Sequence, residues 1–285
     1  MSIRALVVGG TNGIGYAMAC RLAGENPSSR VVISGRNKPD RIPNPNIDFR
    51  ALDASSMRQI KRYTDEFKSS HQDQQLDFLI MTQGIFTMAG RTETAEGIDN
   101  KMALHYYGKQ LLIRELLPVL KNNARVIIVL DGKIGAPAKL DWKDLDLKQG
   151  YSLPSAAYHC ISMNDAMVQF HATQQKQNGN TQRHFIHAFP GVVASNLMAG
   201  LPWYLRAPSQ ALMRMVAVST DTCAEHMLRG TSEVSEIAEK DGRFWGHIDQ
   251  KGREVPGKAI WTEEQLKTIS DHTWGVIDDA LKCTS

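Results

Sequence analysis

The chain predicts an α/β fold, a doubly wound parallel sheet with helices on both faces. Three observations predict it. Apolar runs of strand length alternate with helical periodicity through the first two thirds of the 285 residues. One run, Val126-Ile127-Ile128-Val129, is apolar at consecutive positions, the pattern of a strand buried on both faces. The first run, Leu6-Val7-Val8, ends in a turn with glycines at positions 9, 13 and 15. Helical spacing (Ile14, Met18, Leu22) follows at once, which is the strand–turn–helix order of a Rossmann-type phosphate loop.

The elements follow in order. Ile3–Val8 reads as the first strand, and Thr11-Asn12 leads into the first helix. Val31–Ser34 and Ile47–Leu52 read as strands two and three, and Asp53-Ala54-Ser55-Ser56 offers caps for a helix to about Ser69. Between those strands, three prolines within Lys38–Asn46 mark a loop. Leu76–Thr82 is the fourth strand, Ile98–Leu117 a long helix, and Arg125–Leu130 the fifth strand. Ser155–Lys176 is a second long helix, and His184–Ala188 the sixth strand. After Gly191 the pattern weakens into helices and a short Phe244-Trp245 strand at one sheet edge. With no repeat and no linker, the expectation is a single domain over 1–285. Residues 1–190 form its dinucleotide-binding core, and about 191–240 a lid with the C-terminal helices.

Composition excludes several classes. A net charge of +3 without a Lys/Arg block argues against nucleic acid. Four scattered cysteines (Cys20, Cys160, Cys223, Cys283) have neither zinc-site spacing nor disulfide density, so free thiols and no metal are expected. No signal peptide is read, and no segment approaches the roughly 20 apolar residues of a membrane span. A cytoplasmic location is expected.

Glycines at the first turn let the backbone approach a pyrophosphate, and the helix that follows offers free N–H groups and a positive dipole end. Gly9, Thr11, Asn12, Gly13, Ile14 and Gly15 are therefore candidate cofactor contacts. Arg36 stands just past strand two, where an acid would hold a ribose 2′-hydroxyl; arginine suits a 2′-phosphate, hence NADP(H). Asp53, ending strand three, can accept from an adenine amine or simply cap a helix. Gly84 lets the chain pass close to the cofactor after strand four.

On these residues the chain resembles the short-chain dehydrogenase/reductase family, in its retinol-dehydrogenase-like branch. Further matches are the Gly84 strand end, His105-Tyr106-Tyr107-Gly108 with Leu116-Leu117-Pro118, Ala157-Tyr158-His159-Cys160-Ile161-Ser162, and Pro190-Gly191-Val192-Val193-Ala194-Ser195. The resemblance implies that Pro190, Gly191, Val193 and Ser195 touch the nicotinamide, and Tyr158 the cofactor as well. It also implies a catalytic set of Asn, Ser, Tyr and Lys, whose places are held here by His105, Gly132, Tyr158 and Ser162. Only the tyrosine survives, with Asp131 or Lys133 as stand-ins near the serine place. Family members often pair through the two long helices, so a homodimer or a monomer is expected.

The substitutions have chemical consequences. The family lysine lowers the tyrosine pKa, and a shift from about 10 to about 7 corresponds to roughly 4 kcal/mol. Ser162 brings no charge, although its hydroxyl could reach a ribose. Reduction, which needs an acid, survives that loss better than oxidation, which needs a base. His105 is a candidate for part of the missing relay and Lys133 for part of the missing charge. His159 should point away from the site, and Asp165, two turns past Tyr158, should line the cleft or meet solvent. The expected function is NADPH-dependent reduction of a carbonyl or imine in an apolar small molecule. Trp203, Tyr204, Met198 and Phe86 are candidate apolar lining, and a Met-rich segment (197–215) is the lid. Two alternatives stay open: non-redox catalysis (cyclisation, isomerisation or dehydration) on the same scaffold, and a catalytically inactive nucleotide-binding protein.

Overall fold

The computed structural model describes residues 2–70, 75–177, 182–194 and 217–283. Each apolar run becomes a strand: β1 (Arg4–Val8), β2 (Arg30–Gly35), β3 (Ile47–Ala51), β4 (Leu76–Met81), β5 (Leu120–Val129), β6 (His184–Ala188) and β7 (Trp245–Ile248). They form one sheet in the order β3-β2-β1-β4-β5-β6-β7, and every pairing is parallel. The order reverses between β1 and β4, so a crevice opens beyond their C-terminal ends, where ligands of doubly wound sheets bind.

Period-two alternation sorts the core into two layers. Leu6, Val8, Leu79, Met81, Val126, Ile128 and Phe185 face one way, against α2 (Met57–Ser70), α4 (Gly108–Leu116), α5 (Leu153–Gln177) and α7 (Glu263–Lys282). Ala5, Val7, Ile33, Ile80, Ile127 and Ile186 face the other way, against α1 (Gly13–Glu25) and α6 (Thr220–Lys240). No helix of the described residues is long and apolar enough to cross a membrane.

Three boundaries differ from the sequence reading. β5 begins at Leu120, which pairs with Leu76, and a register shift then separates that pair from Phe78 and Arg125. The chain leaves α6 through left-handed Gly242 (φ 64°) and Phe244 (φ 57°), so β7 starts at Trp245 and runs to Ile248. The long helix near residue 100 is not uniform: α3 (Asn100–Met102) passes through a π turn, Ala103–Tyr107, before α4. π turns concentrate at functional sites, and this one carries His105.

Candidate active site

At the first turn the glycines serve close packing. Gly9 is left-handed (φ 81°), and a Cβ there would meet Gln83 N at 2.5 Å. A Cβ at Gly15 would meet Gly9 O at 2.6 Å, so β1, α1 and the end of β4 close on one another only as bare backbone. Gly13 is also left-handed (φ 58°), and the Asn12 side chain caps the helix on Gly13 N at 2.7 Å. Thr11 leans on Gly35 at the end of β2. The first turn of α1 carries no acid, so nothing there competes with an anion for the dipole end.

Polar groups ring this turn. Arg36 is exposed just beyond β2. Asp53 uses one oxygen on Ser55, at 3.0 Å to N and 2.7 Å to Oγ, and its other oxygen has no bond among the described residues. The capping role expected of residues 53–56 thus falls on Ser56, whose Oγ accepts from Gln59 N at 3.2 Å. Glu96, unforeseen in the sequence, reaches the same helix start and accepts from Met57 N (2.8 Å) and Arg58 N (3.1 Å). Gln83, also unforeseen, is buried at the end of β4, and neither of its amide atoms has a hydrogen-bond partner among the described residues. A bare glycine turn, a free helix start and an orphaned amide together fit a dinucleotide diphosphate.

Residues 4–135 match the family model described as short chain dehydrogenase. The chain belongs to the short-chain dehydrogenase/reductase family. It is 35% identical over 208 residues to Oxidoreductase AN1596 of Emericella nidulans, covering 69% of this chain but only 60% of that protein's own length. It is 28% identical over 296 residues to human polyprenol dehydrogenase, covering 97% of this chain and 86% of the relative. The fold is similar to that of NADPH-bound carbonyl reductase from chicken fatty liver, with a TM-score of 0.60 at 18% identity over 90% of this chain and 99% of the other.

The residues expected to form the catalytic set sit in different settings. Tyr158 lies half-buried on α5, and the Lys139 ammonium stands 4.6 Å from its ring centroid. Lys139 gave no signal in the sequence because it comes from a short 3-10 turn, Pro137–Lys139, in the long insertion. His105 Nε2 accepts a hydrogen bond from Ile85 N at 2.9 Å, which binds the π turn to the chain just after Gly84. Enclosure of the ring, and then the Lys109 ammonium, push the His105 pKa down to about 3. Its relay nitrogen is thus already engaged and its ring neutral.

Ser162 is fully buried, and its Oγ accepts from Ala136 N at 3.2 Å; the hydroxyl expected to reach a ribose holds a loop instead. Lys133 is exposed and lies over the Phe189 ring at 5.1 Å. Asp131 accepts from the Lys133 amide at 3.0 Å. Gly132 passes over β6 so closely that a Cβ would meet Ala188 N at 3.3 Å. His159 does point away, accepting from Asp141 N at 2.9 Å and pinning the insertion. Asp165 meets neither cleft nor solvent: it is fully buried, between His187, His247 and Lys258.

Beyond β6, Gly191 is left-handed (φ 72°) and a Cβ there would meet Gln250 Cβ at 2.7 Å. Val193 is buried and bridges to Val218. Pro190 accepts a weak contact from the Cys223 thiol at 3.6 Å. Ser195 and the expected lid, including Met198, Trp203 and Tyr204, lie outside the described residues. Phe86 is exposed, at 40%.

Proposed function

We propose that this chain is an NADP(H)-dependent reductase of a carbonyl or imine in an apolar small molecule. The observation that carries the reading is the cradle itself: a glycine turn and an acid-free helix start, with the exposed Arg36 at the neighbouring strand end. The NADPH-bound carbonyl reductase of similar fold supports the choice of cofactor. Backbone amides of Ile14 and Gly15, beside the Asn12-capped Gly13, would hold the diphosphate, Arg36 the 2′-phosphate and the free oxygen of Asp53 the adenine amine. Gly84, Pro190, Gly191 and Val193 would bound the nicotinamide end. When bound, the reduced nicotinamide supplies a hydride. Tyr158 would orient the substrate oxygen or nitrogen and deliver the proton.

A specific observation favours a second reading. Ser162 and His105 are both committed to backbone amides, which leaves a site thin in proton-transfer groups. Such a site suits a non-redox rearrangement of a bound substrate. Incubation with NADPH and a panel of ketones, aldehydes and imines separates the two readings. Absorbance loss at the nicotinamide band with a matching reduced product is expected. Product without cofactor consumption favours rearrangement; neither product nor consumption ends both. Arg36→Ala should weaken NADPH binding about 10- to 100-fold, the loss of one charge-assisted bond of about 1.5–3 kcal/mol, and leave NADH binding nearly unchanged. Tyr158→Phe should cut turnover; an unchanged rate removes Tyr158 from the proton step. We also infer a monomer, from the helix that covers α4 and α5.

A further inference from the structure

The sheet face under α5 carries an ionic cluster where packed apolar side chains would be ordinary. Parallel pairing sets His187 of β6 beside His247 of β7. Asp165, on α5, meets both through Oδ1, at 2.5 Å from His187 Nδ1 and 3.0 Å from His247 Nε2. Its other oxygen meets the Lys258 ammonium, which arrives from the segment after β7. Asp165 and His187 are fully buried, and the Lys258 side chain is 7% exposed.

Asp165, His187 and His247 place three ligand atoms within 4.8 Å of one another, as a divalent cation would require. The charge count points elsewhere. A neutral His187 can donate its Nδ1–H to Oδ1, His247 stands beside the same oxygen without a hydrogen bond, and the Lys258 ammonium neutralises the carboxylate, so the charges balance as the set stands. A dication would leave two uncompensated charges beside Lys258 in a dry interior, which is costly. Lys258 is the cation of this site.

Lys258 does more than neutralise. Its Nζ also donates to Gly135 O at 3.0 Å and lies 3.3 Å from Lys133 O. Both carbonyls belong to the loop that follows β5. The same loop is held by Ser162 through Ala136 N, and Gly135 lacks a Cβ where one would overlap the Asp165 carboxylate. Four residues past Gly135, Lys139 leans over Tyr158.

We propose that Lys258, backed by Asp165, is a positioning residue: it clamps the loop after β5, and through that loop sets Lys139 and the wall of the cleft against Tyr158. The catalytic half of this statement rests on the reductase reading; the clamp does not.

The test uses full-length Lys258→Met and Lys258→Arg, with Lys258→Gln held ready should the methionine variant not fold. Amide hydrogen exchange over residues 132–139 is read without cofactor, and calorimetric NADPH affinity and turnover are read in parallel. Lys258→Met should exchange at least ten-fold faster in that loop, and Lys258→Arg should stay close to the parent. Turnover should fall about ten-fold in Lys258→Met with NADPH affinity held within two-fold, and Lys258→Arg should recover most of it. Unchanged exchange in the loop overturns the clamp, whether or not the parent turns over NADPH. Faster exchange with unchanged kcat overturns the positioning role. Stoichiometric zinc or another divalent ion in elemental analysis of the purified parent overturns the assignment of Lys258 as the cation.

Discussion

Lys109 shows how much one residue can impose on this core. It sits one turn past His105 with no exposure to solvent, and its Nζ donates to Val129 O at 2.9 Å. No carboxylate among the described residues pairs with it, and burial pushes its pKa down to about 7. The sign of the linkage follows. Between pH 7 and the unfolded value near 10.5, the unfolded chain holds a proton that the folded chain has released, so stability rises with pH across that window. Lys109→Met removes the burial cost and keeps the length of the stem. It should raise the midpoint of urea unfolding at pH 7 by an amount corresponding to about 2–4 kcal/mol, and the gain should fade as pH approaches 10.5. A pH-independent difference between parent and variant would show that Lys109 is not the titrating group. Nothing in the sequence marked this lysine, because periodicity places it on the helix but does not count the strands beneath it.

At the scale of elements, α2 depends on a residue 39 positions away from its first amide. Glu96 accepts from Met57 N and Arg58 N and from the Ser56 hydroxyl at 2.7 Å, so one buried carboxylate serves several orphan donors at a helix start. Glu96→Ala should cost about 1–3 kcal/mol in thermal or urea unfolding, more than a single exposed cap is worth, because it strands buried N–H groups. Ser56→Ala, which loses one bond, should cost less. The contrast explains what could be read in advance. Strand positions were legible because runs such as Val126–Val129 have one stable fate, burial between two helix layers. The caps of α2 were half legible: Ser56 is adjacent to its helix, whereas Glu96 is brought there only by the fold. The π turn at Ala103–Tyr107 was not legible, since it adds one residue to a helical turn and barely alters the apolar spacing.

For the whole molecule the same division holds. The glycine turn after β1 was readable because its glycines answer to local backbone geometry. Asp165, His187, His247 and Lys258 are far apart in sequence and meet only through the order β5-β6-β7, so their cluster could not be read from spacing. The C-terminal helix gives the last consequence of topology. α7 lies against α5 and reaches α2, and Tyr107 OH meets His272 at 2.9 Å while Arg114 pairs with Asp278 at 2.8 Å and stacks on Trp274 at 5.1 Å. Gln169, on α5, donates to Ala259 O at 2.8 Å and accepts from Trp261 N at 3.2 Å. The faces on which pairing was expected are therefore occupied within this chain: α7 packs along α5 and reaches α4 at Arg114. A second copy could reach them only by displacing α7 and its buried Ile269, Thr273 and Ile277. Each large apolar side chain exposed in that way costs about 1.5–3 kcal/mol. Light scattering coupled to gel filtration should give the mass of one chain across micromolar concentrations. A stable dimer whose cross-links map to α4 and α5 would show that α7 leaves that face open.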